Sequence, residues 1–254
     1  MRSLIAAELL KLRSTRSAWI PLAAALTAAV VAVIANTSTA GHGGNPPLSP
    51  AALPDLLRSS GGQLVDGAVL LAWIVLSAGE FRHRTSVTAF LGQPRRLRVV
   101  SAKLGAAALT GAAVGLLAEA LSAATSAAVL SAHHVPLHWA QPGVPGAVIT
   151  VPLLAALYGV LGASLGLLLR NTAAALGLAL MWAFVVEGIL PVLIHTPGVV
   201  RWLPQAAANA VLHGASATTL PAGVALAVLA GYAVVLATGG ALVTTRREIG
   251  TATG

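Results

Sequence analysis

The chain has 254 residues, of which 57% are hydrophobic and only 9% are charged, with a formal net charge of +8. Soluble domains carry about a quarter charged residues, so this composition excludes an ordinary soluble protein and requires lipid around the apolar surface. The lack of Cys excludes disulfides, thiolate metal sites and cysteine nucleophiles, and basic residues placed beside apolar segments favour anionic membrane lipid over nucleic acid as their partner.

The first 18 residues form a basic helix candidate that leads into the membrane. They contain good helix formers and neither Gly nor Pro. Glu8 falls between Leu4 and Leu12 on the helical wheel, which weakens the apolar face. We predict a cytoplasmic interfacial helix; the alternative is a plain basic flank that only sets topology. The charged residues of this segment are Arg2, Glu8, Lys11, Arg13 and Arg16.

Six apolar segments follow, which we predict to cross the bilayer as helices because backbone groups in lipid must bond internally. A cleavable signal peptide is an alternative for the first, but its long basic lead and the spans after it favour an uncleaved anchor. Between the first two spans, we expect Leu53, Leu56 and Leu57 to form one helical turn on the bilayer surface. The spans cover residues 19–35, 64–79, 104–132, 147–169, 173–194 and 221–243, and residues 244–254 form a cytoplasmic tail.

Positive charge is distributed unequally among the segments that connect these spans. With both termini in the cytoplasm, the inside segments hold 13 of the 15 Lys and Arg residues, and the outside segments hold only Arg58 and Arg201. The positive-inside rule therefore predicts an all-α integral membrane protein with six spans and cytoplasmic N- and C-termini. The high Ala, Gly and Arg content suggests a GC-rich bacterial genome, and hence a bacterial plasma membrane.

Two carboxylates lie inside predicted spans, Glu119 in the third and Glu187 in the fifth. At 1.5 Å per residue, each lies about 21–23 Å from the cytoplasmic end of its span, past the middle of the bilayer. A buried carboxylate is costly unless it is protonated, paired or wetted, so each is a candidate substrate or proton site. The alternative is structural: a protonated Glu119 bonded to the hydroxyls of Ser122 and Ser126, and a Glu187 bonded to backbone groups at a helix break.

Two patterns only resemble functional motifs. Residues 162–166 read GxSxG, but a nucleophile elbow needs a strand-to-helix turn, whereas Gly residues four apart in an apolar helix indicate close helix packing. His133, His134 and His138 have a spacing that could bind a metal, but Pro136 interrupts the segment and no carboxylate is near. We predict a polar external loop there, with no metal site.

The sequence contains no Walker motif and no Gly-rich phosphate-binding loop followed by Lys. If the protein uses ATP, we expect another chain to bind it.

Several short charged motifs stand in a fixed order against the six spans. Residues 8–16 read Glu-x-x-Lys-x-x-Ser-x-Arg, residues 80–85 read Glu-x-Arg-x-x-Thr, and Pro-x-Arg at 94–96 and Lys103 follow. In this order they resemble the permease subunits of type 2 ABC exporters, although Arg84 stands where that family usually has Gly. The similarity continues in Arg170-Asn171 and in Glu187 followed by the run 201–204, and it covers nearly the whole chain.

The resemblance implies a six-helix membrane subunit that pairs with a second permease chain, identical or related. It implies two separate ABC ATP-binding subunits, which would carry the ATP and Mg²⁺, whereas this chain would hold no cofactor. It further implies that residues 195–220 dip partly back into the membrane as short helices. The docking surface for the ATPase would be formed by Glu8, Lys11, Arg13 and Arg16 of the interfacial helix and by Glu80, Arg82, Arg84, Thr85, Pro94, Arg95, Arg96 and Lys103 of the basic loop.

These observations predict the permease of an ATP-driven exporter that moves a hydrophobic or amphipathic substrate, such as a drug, a lipid or a peptide-like molecule. We do not expect the chain to be an enzyme, because it lacks a plausible catalytic set. One alternative is a proton-coupled secondary transporter that uses Glu119 and Glu187, although the chain lacks the inverted halves common in that class. Another is a membrane anchor that transports nothing.

Overall fold

The computed structural model describes residues 2–14, 16–42, 47–60, 63–82, 96–193, 197–214 and 219–246. These residues are built from helices and connecting turns, and they contain no strand. Six helical segments among them are long and apolar enough to cross a membrane. The predicted all-helical fold with six spans is therefore confirmed, and the chain is a multi-pass membrane protein.

The helices have the following bounds in chain order. They are α1 (Arg2–Ser14), α2 (Arg16–Ser38), α3 (Leu53–Ser60), α4 (Gln63–Arg82), α5 (Arg96–Ala132), α6 (Val144–Leu169), α7 (Thr172–Met181), α8 (Glu187–Leu193), α9 (Pro197–Val200), α10 (Pro204–His213) and α11 (Ala222–Arg246). A 3₁₀ turn, Pro50–Ala52, precedes α3, and a π-helical turn, Trp182–Val186, joins α7 to α8.

The six spans correspond to α2, α4, α5, α6, the α7–α8 pair and α11. The interfacial helix is shorter than the predicted 18 residues, because α1 ends at Ser14 and Arg16 already belongs to α2. The third span begins earlier than residue 104, since α5 starts at Arg96 and adds two basic turns before its apolar part.

Helix α6 lies at the centre of the bundle and packs closely on both α4 and α5. A Cβ atom at Gly162 would overlap the carbonyl of Leu70, and one at Gly111 of α5 would overlap the carbonyl of Ala155. The Ser164 hydroxyl is buried and donates to the Val160 carbonyl at 2.6 Å. The GxSxG pattern therefore serves helix packing, as its position in an apolar helix predicted.

The turn predicted around Leu53, Leu56 and Leu57 is helical, and its leucines face the protein. All three side chains are buried inside the protein, in a cluster with Leu130 of α5 and Ala147 of α6. The leucines reach these partners because α3 lies between the adjacent ends of α5 and α6, so they cover apolar surface of the chain.

The segment between the fifth and sixth spans forms the two short helices α9 and α10 in its described part, whereas His195 lies outside the described residues. Ala207 and Val211 of α10 are buried in a cluster with Leu154 of α6 and Leu229 of α11. Because Leu154 and Leu229 lie well inside two spans, α10 packs beside the spanning helices. That residues 195–220 dip partly back into the membrane stays a prediction.

Candidate functional site

One end of the bundle, which we call the basic end, brings together α1, the last turn of α4, the first turns of α5 and the last turn of α11. Four charged side chains meet there although they come from three helices: Glu8 and Lys11 from α1, Glu80 from α4 and Lys103 from α5. We call these four residues the charge network.

Each ammonium group of the network contacts both carboxylates. The Lys103 Nζ atom lies 2.7 Å from Glu8 Oε2 and 2.7 Å from Glu80 Oε1. The Lys11 Nζ atom lies 2.7 Å from Glu8 Oε1 and 3.0 Å from the same Glu80 oxygen. These are the distances of charge-assisted hydrogen bonds, and the two positive charges balance the two negative ones.

The centre of the network is buried, since the side chain of Lys103 is 2% exposed and that of Glu8 is 7% exposed. Burial alone would raise the pKa of Glu8, but the ammonium groups of Lys103 and Lys11 outweigh it and lower that pKa. Burial alone would lower the pKa of Lys11, and here Glu80 and Glu8 outweigh it and raise that pKa. Pairing therefore keeps both α1 side chains in their charged forms.

The sequence of α1 explains how it reaches the network. Glu8 and Lys11 are three residues apart, so they share one face of the helix. Leu12 is buried beside them, and Ile5 and Leu9 pack on the same cluster, which includes Trp73 of α4. Glu8 thus lies on the buried face of α1, because its partner Lys103 lies there, and this is why the helix has a weak apolar face.

Two arginines bind the end of α11 at the same basic end. Arg96 Nη1 donates to the carbonyls of Thr244 at 3.3 Å and Thr245 at 3.4 Å. Arg170 Nη2 donates to the carbonyl of Val243 at 2.8 Å, and its guanidinium lies 4.9 Å from the centre of the Phe81 ring. Cations at a helix C-terminus donate hydrogen bonds to its last carbonyls and are attracted to the negative end of the helix dipole. Both arginines therefore fix the sixth span to its neighbours.

The predicted docking residues thus fall into distinct groups. Glu8, Lys11, Glu80 and Lys103 bind one another, and Arg96 binds α11. Arg13, Arg16 and Arg82 lie in α1, α2 and α4, respectively. Arg84, Thr85, Pro94 and Arg95 lie outside the described residues. Contact of any of these residues with an ATPase stays a prediction.

Glu187 is bonded to protein donors, in agreement with the structural alternative for this residue. Its Oε1 atom accepts a hydrogen bond from Trp182 Nε1 at 2.8 Å, and its Oε2 atom accepts one from the backbone N–H of Gln205 at 2.6 Å. Gln205 lies in the first turn of α10, so the carboxylate satisfies an N–H group that has no partner within that helix. The π-helical turn directly precedes Glu187, which places the irregularity of the fifth span before this residue rather than after it.

Glu119 is buried in α5, as are Ser122 and Ser126. The predicted bonds between them are wrong, because neither serine hydroxyl has a hydrogen-bond partner within the described part of the chain. Side chains of a helix tilt toward its N-terminus, so the long Glu119 side chain extends away from both serines.

Asp66, in the first turn of α4, is a buried carboxylate that the sequence reasoning missed. It is 2% exposed, and its Oδ1 atom has no hydrogen-bond partner among the described residues. Asp66 met the same criterion as Glu119, a carboxylate inside an apolar segment. Asp66 is the third residue of its predicted span, and a polar side chain at that position normally reaches the membrane interface.

The three histidines of the segment between the third and fourth spans, His133, His134 and His138, are all exposed. In the ranges that the structure describes, no group of three or more His, Cys, Asp or Glu side chains is arranged to hold a metal ion.

Comparison with protein-family models and with curated proteins gives no match to the chain.

Proposed function

We propose that the chain is the membrane-spanning permease subunit of an ATP-driven ABC exporter, working with a separate ATP-binding subunit. The observation that carries this proposal is the charge network. It fixes α1 to the end of the second span and the start of the third, and these are the elements to which the sequence resemblance assigns ATPase docking.

The composition of the network goes beyond what membrane topology requires. The positive-inside rule needs only Lys and Arg in a cytoplasmic segment, whereas here two glutamates converge on one buried lysine. Burying these groups is costly unless all of them are paired in good geometry. An arrangement that holds three helices in one fixed relation suits a coupling unit, because movement of an attached ATPase would be passed directly into α4 and α5.

The basic end is the cytoplasmic end in this proposal. It collects α1 and the arginines around the end of α11, whereas the opposite end of the described chain carries Arg58 and Arg201. This distribution favours the orientation with both termini in the cytoplasm, where an ATPase would find ATP.

The fifth span supports a second permease chain as partner. None of the side chains that the structure describes between residues 176 and 193 is buried within the chain, and the span presents large side chains such as Met181 and Phe184 outward. We propose that this face packs against a second copy or a related chain, and that a hydrophobic or amphipathic substrate moves along the interface between them.

The proposal is tested by affinity purification of the tagged chain from its native membrane, followed by identification of the proteins that co-purify. We expect a Walker-motif ATPase with the wild type, and its loss after the charge reversal Arg82→Glu/Arg84→Glu. Arg201→Glu, a charge reversal in the predicted outside segment, is the matched control and should retain it. If no ATPase co-purifies with any of these chains, even after chemical crosslinking, the exporter proposal is wrong.

A proton-coupled transporter is the second candidate, because Asp66 and Glu119 are carboxyl groups buried inside the bundle. It predicts transport by the purified chain in vesicles that contain a pH gradient and no ATP. Transport that requires ATP and a second protein would exclude it, and a chain that supports no flux under either condition would be a membrane anchor.

A further inference from the structure

Helices α4 and α6 run in the same direction and are in close contact along much of their length. Gly162 lies against the backbone of Leu70, and Gly166 lies one turn further on, against Ile74 and Ala78. Continuing this register by one turn toward the start of both helices brings Tyr158 level with Asp66. Tyr158 is also buried, and it interacts electrostatically with the Asp66 carboxyl.

Asp66 stands in an apolar stretch of α4. Its neighbours Val65 and Val69 are fully buried, and Val65 packs in a cluster with Ala25 and Ala29 of α2. Neither α2 after Arg16 nor α7 contains an ionisable residue. These two helices, which pack on α4, therefore supply no charge to this carboxyl.

The ionisable groups on the remaining neighbouring helices do not compensate a charge on Asp66. On α3, which precedes α4, Arg58 is bound to Asp55 and to the Gly143 carbonyl. Helix α6 contributes Tyr158, which is itself acidic, and Glu187 of α8 interacts electrostatically with Tyr158. Helix α5 contributes Glu119 in its apolar part. Its buried cation, Lys103, is bound to Glu8 and Glu80 at the basic end, and Glu80 is about 21 Å along α4 from Asp66.

An isolated carboxylate in such a place is very unfavourable, and a buried acid there takes up a proton instead. A metal ion or an ammonium group would need several oxygen donors around it, and the apolar side chains that flank Asp66 in α4 do not provide them. A proton needs only the carboxyl itself. The Oδ1 atom has no hydrogen-bond partner among the described residues. Asp66 lies in the first turn of α4, where the helix dipole favours a negative charge, but this effect is weaker than the cost of burying an unpaired carboxylate.

We propose that Asp66 is a proton-binding site inside the bundle, occupied while α4 and α6 are packed together. Loss of the proton requires water to reach the carboxyl, and therefore requires the two helices to separate near Asp66 and Tyr158. The packed arrangement binds the proton more tightly than the separated one, so raising the pH favours separation. This site does not depend on the exporter assignment, since it needs no partner chain.

Infrared spectroscopy of the purified chain in lipid nanodiscs, with ¹³C in the aspartate carboxyl groups, tests the site directly. The sequence has only two aspartates, Asp55 and Asp66. We expect an isotope-sensitive band of a protonated carboxyl at neutral pH, retained in Asp55→Asn and lost in Asp66→Asn. If no isotope-sensitive protonated band is present at neutral pH in the wild type and in Asp55→Asn, the proposal is overturned, and this result does not depend on whether Asp66→Asn folds.

The link to helix separation is tested by spin labels, which the cysteine-free chain makes simple to attach. Leu64→Cys on α4 and Ile149→Cys on α6 are exposed positions. We expect the distance between the labels to lengthen as the pH rises, and to stay short at every pH when Asp66→Asn is added. Glu119→Gln is the matched control and should keep the pH response. A response that is unchanged by Asp66→Asn, or that is lost only in Glu119→Gln, would assign proton binding elsewhere.

Discussion

Lys103 Nζ lies 2.7 Å from Glu8 Oε2, although the two residues are 95 positions apart in the chain. The contact joins the N-terminal helix to the third span below the level of its apolar part. It makes α1 a structural component of the basic end.

Lys103→Met should detach α1 and destabilise the protein. The substitution leaves Glu8 buried with Lys11 as its remaining cation in the network. Removing one partner of a buried ion pair lowers the free energy of unfolding by about 3–5 kcal/mol. Thermal unfolding in detergent measures the loss, and limited proteolysis within α1 reports its detachment. Arg98→Met, on an exposed position of the same helix, is the control. Equal stability of both variants would mean that the network contributes little.

Glu8→Leu should restore most of the stability that Lys103→Met removes. The double substitution replaces a buried ion pair with apolar side chains, which is often neutral or stabilising, and it leaves Lys11 paired with Glu80. A double-mutant cycle built from the unfolding data gives the coupling between the two residues. Additive losses would show that Glu8 and Lys103 act independently, despite their short distance.

The attachment of α1 should weaken at both extremes of pH. The pKa of Glu8 is lowered below 4.5. Its contribution to the stability of the α1 attachment is therefore present above pH 4.5 and is lost as the pH falls through the lowered pKa. The pKa of Lys11 is raised above 10.5. Its contribution to the stability of the α1 attachment is therefore present below pH 10.5 and is lost as the pH rises through the raised pKa.

Spin labels at Leu10→Cys and Leu97→Cys, both exposed positions, measure this pH dependence as the distance between α1 and α5. We expect a constant distance between about pH 4.5 and pH 10.5, the ordinary values of the two groups, and a broader distribution outside that range. A change centred near neutral pH would indicate a different titrating group.

Gly162→Ala should destabilise the contact between α4 and α6. The added Cβ atom would overlap the Leu70 carbonyl, and overpacking of this kind typically costs about 1–3 kcal/mol. Gly177→Ala is the matched control, because a Cβ atom there meets no atom within 4 Å, and Ala is the better helix former. The midpoint temperature of thermal unfolding should therefore be lower than that of the wild type in Gly162→Ala and higher in Gly177→Ala.

The sequence predicted the helices well, because apolar length and loop charge are properties of short segments. It predicted the charge network poorly, because pairing between Glu8 and Lys103 depends on which helices are neighbours. One signal was present, since Glu8 interrupts the apolar face of α1 and an acidic residue on a buried face implies a buried cation. The role of Arg170 was similarly hidden, because its partners Val243 and Phe81 are distant in sequence.

The burial of Asp66 and the burial of the three α3 leucines have a common physical reason. The leucines are buried because α3 lies against α5 and α6, and Asp66 is buried because other helices pack on α4. A hydropathy pattern shows how long an apolar segment is, but it does not show whether a leucine beside it faces lipid or protein. The same limit applies to a carboxylate near the end of a span, whose burial depends on what covers it.

Phe184→Cys should form a disulfide-linked dimer if the fifth span packs against a second copy of the chain. Phe184 is 72% exposed in the π-helical turn, and a residue near a symmetry axis lies close to its own copy. Val235→Cys on α11, which is also largely exposed, is the control and should stay monomeric under the same mild oxidation in native membranes. Equal crosslinking at both positions would indicate random collision, and crosslinking only at Val235→Cys would place the interface on the sixth span. If neither position crosslinks when the chain is expressed alone, the partner is a related chain, and Phe184→Cys should then crosslink to that chain once the two are expressed together.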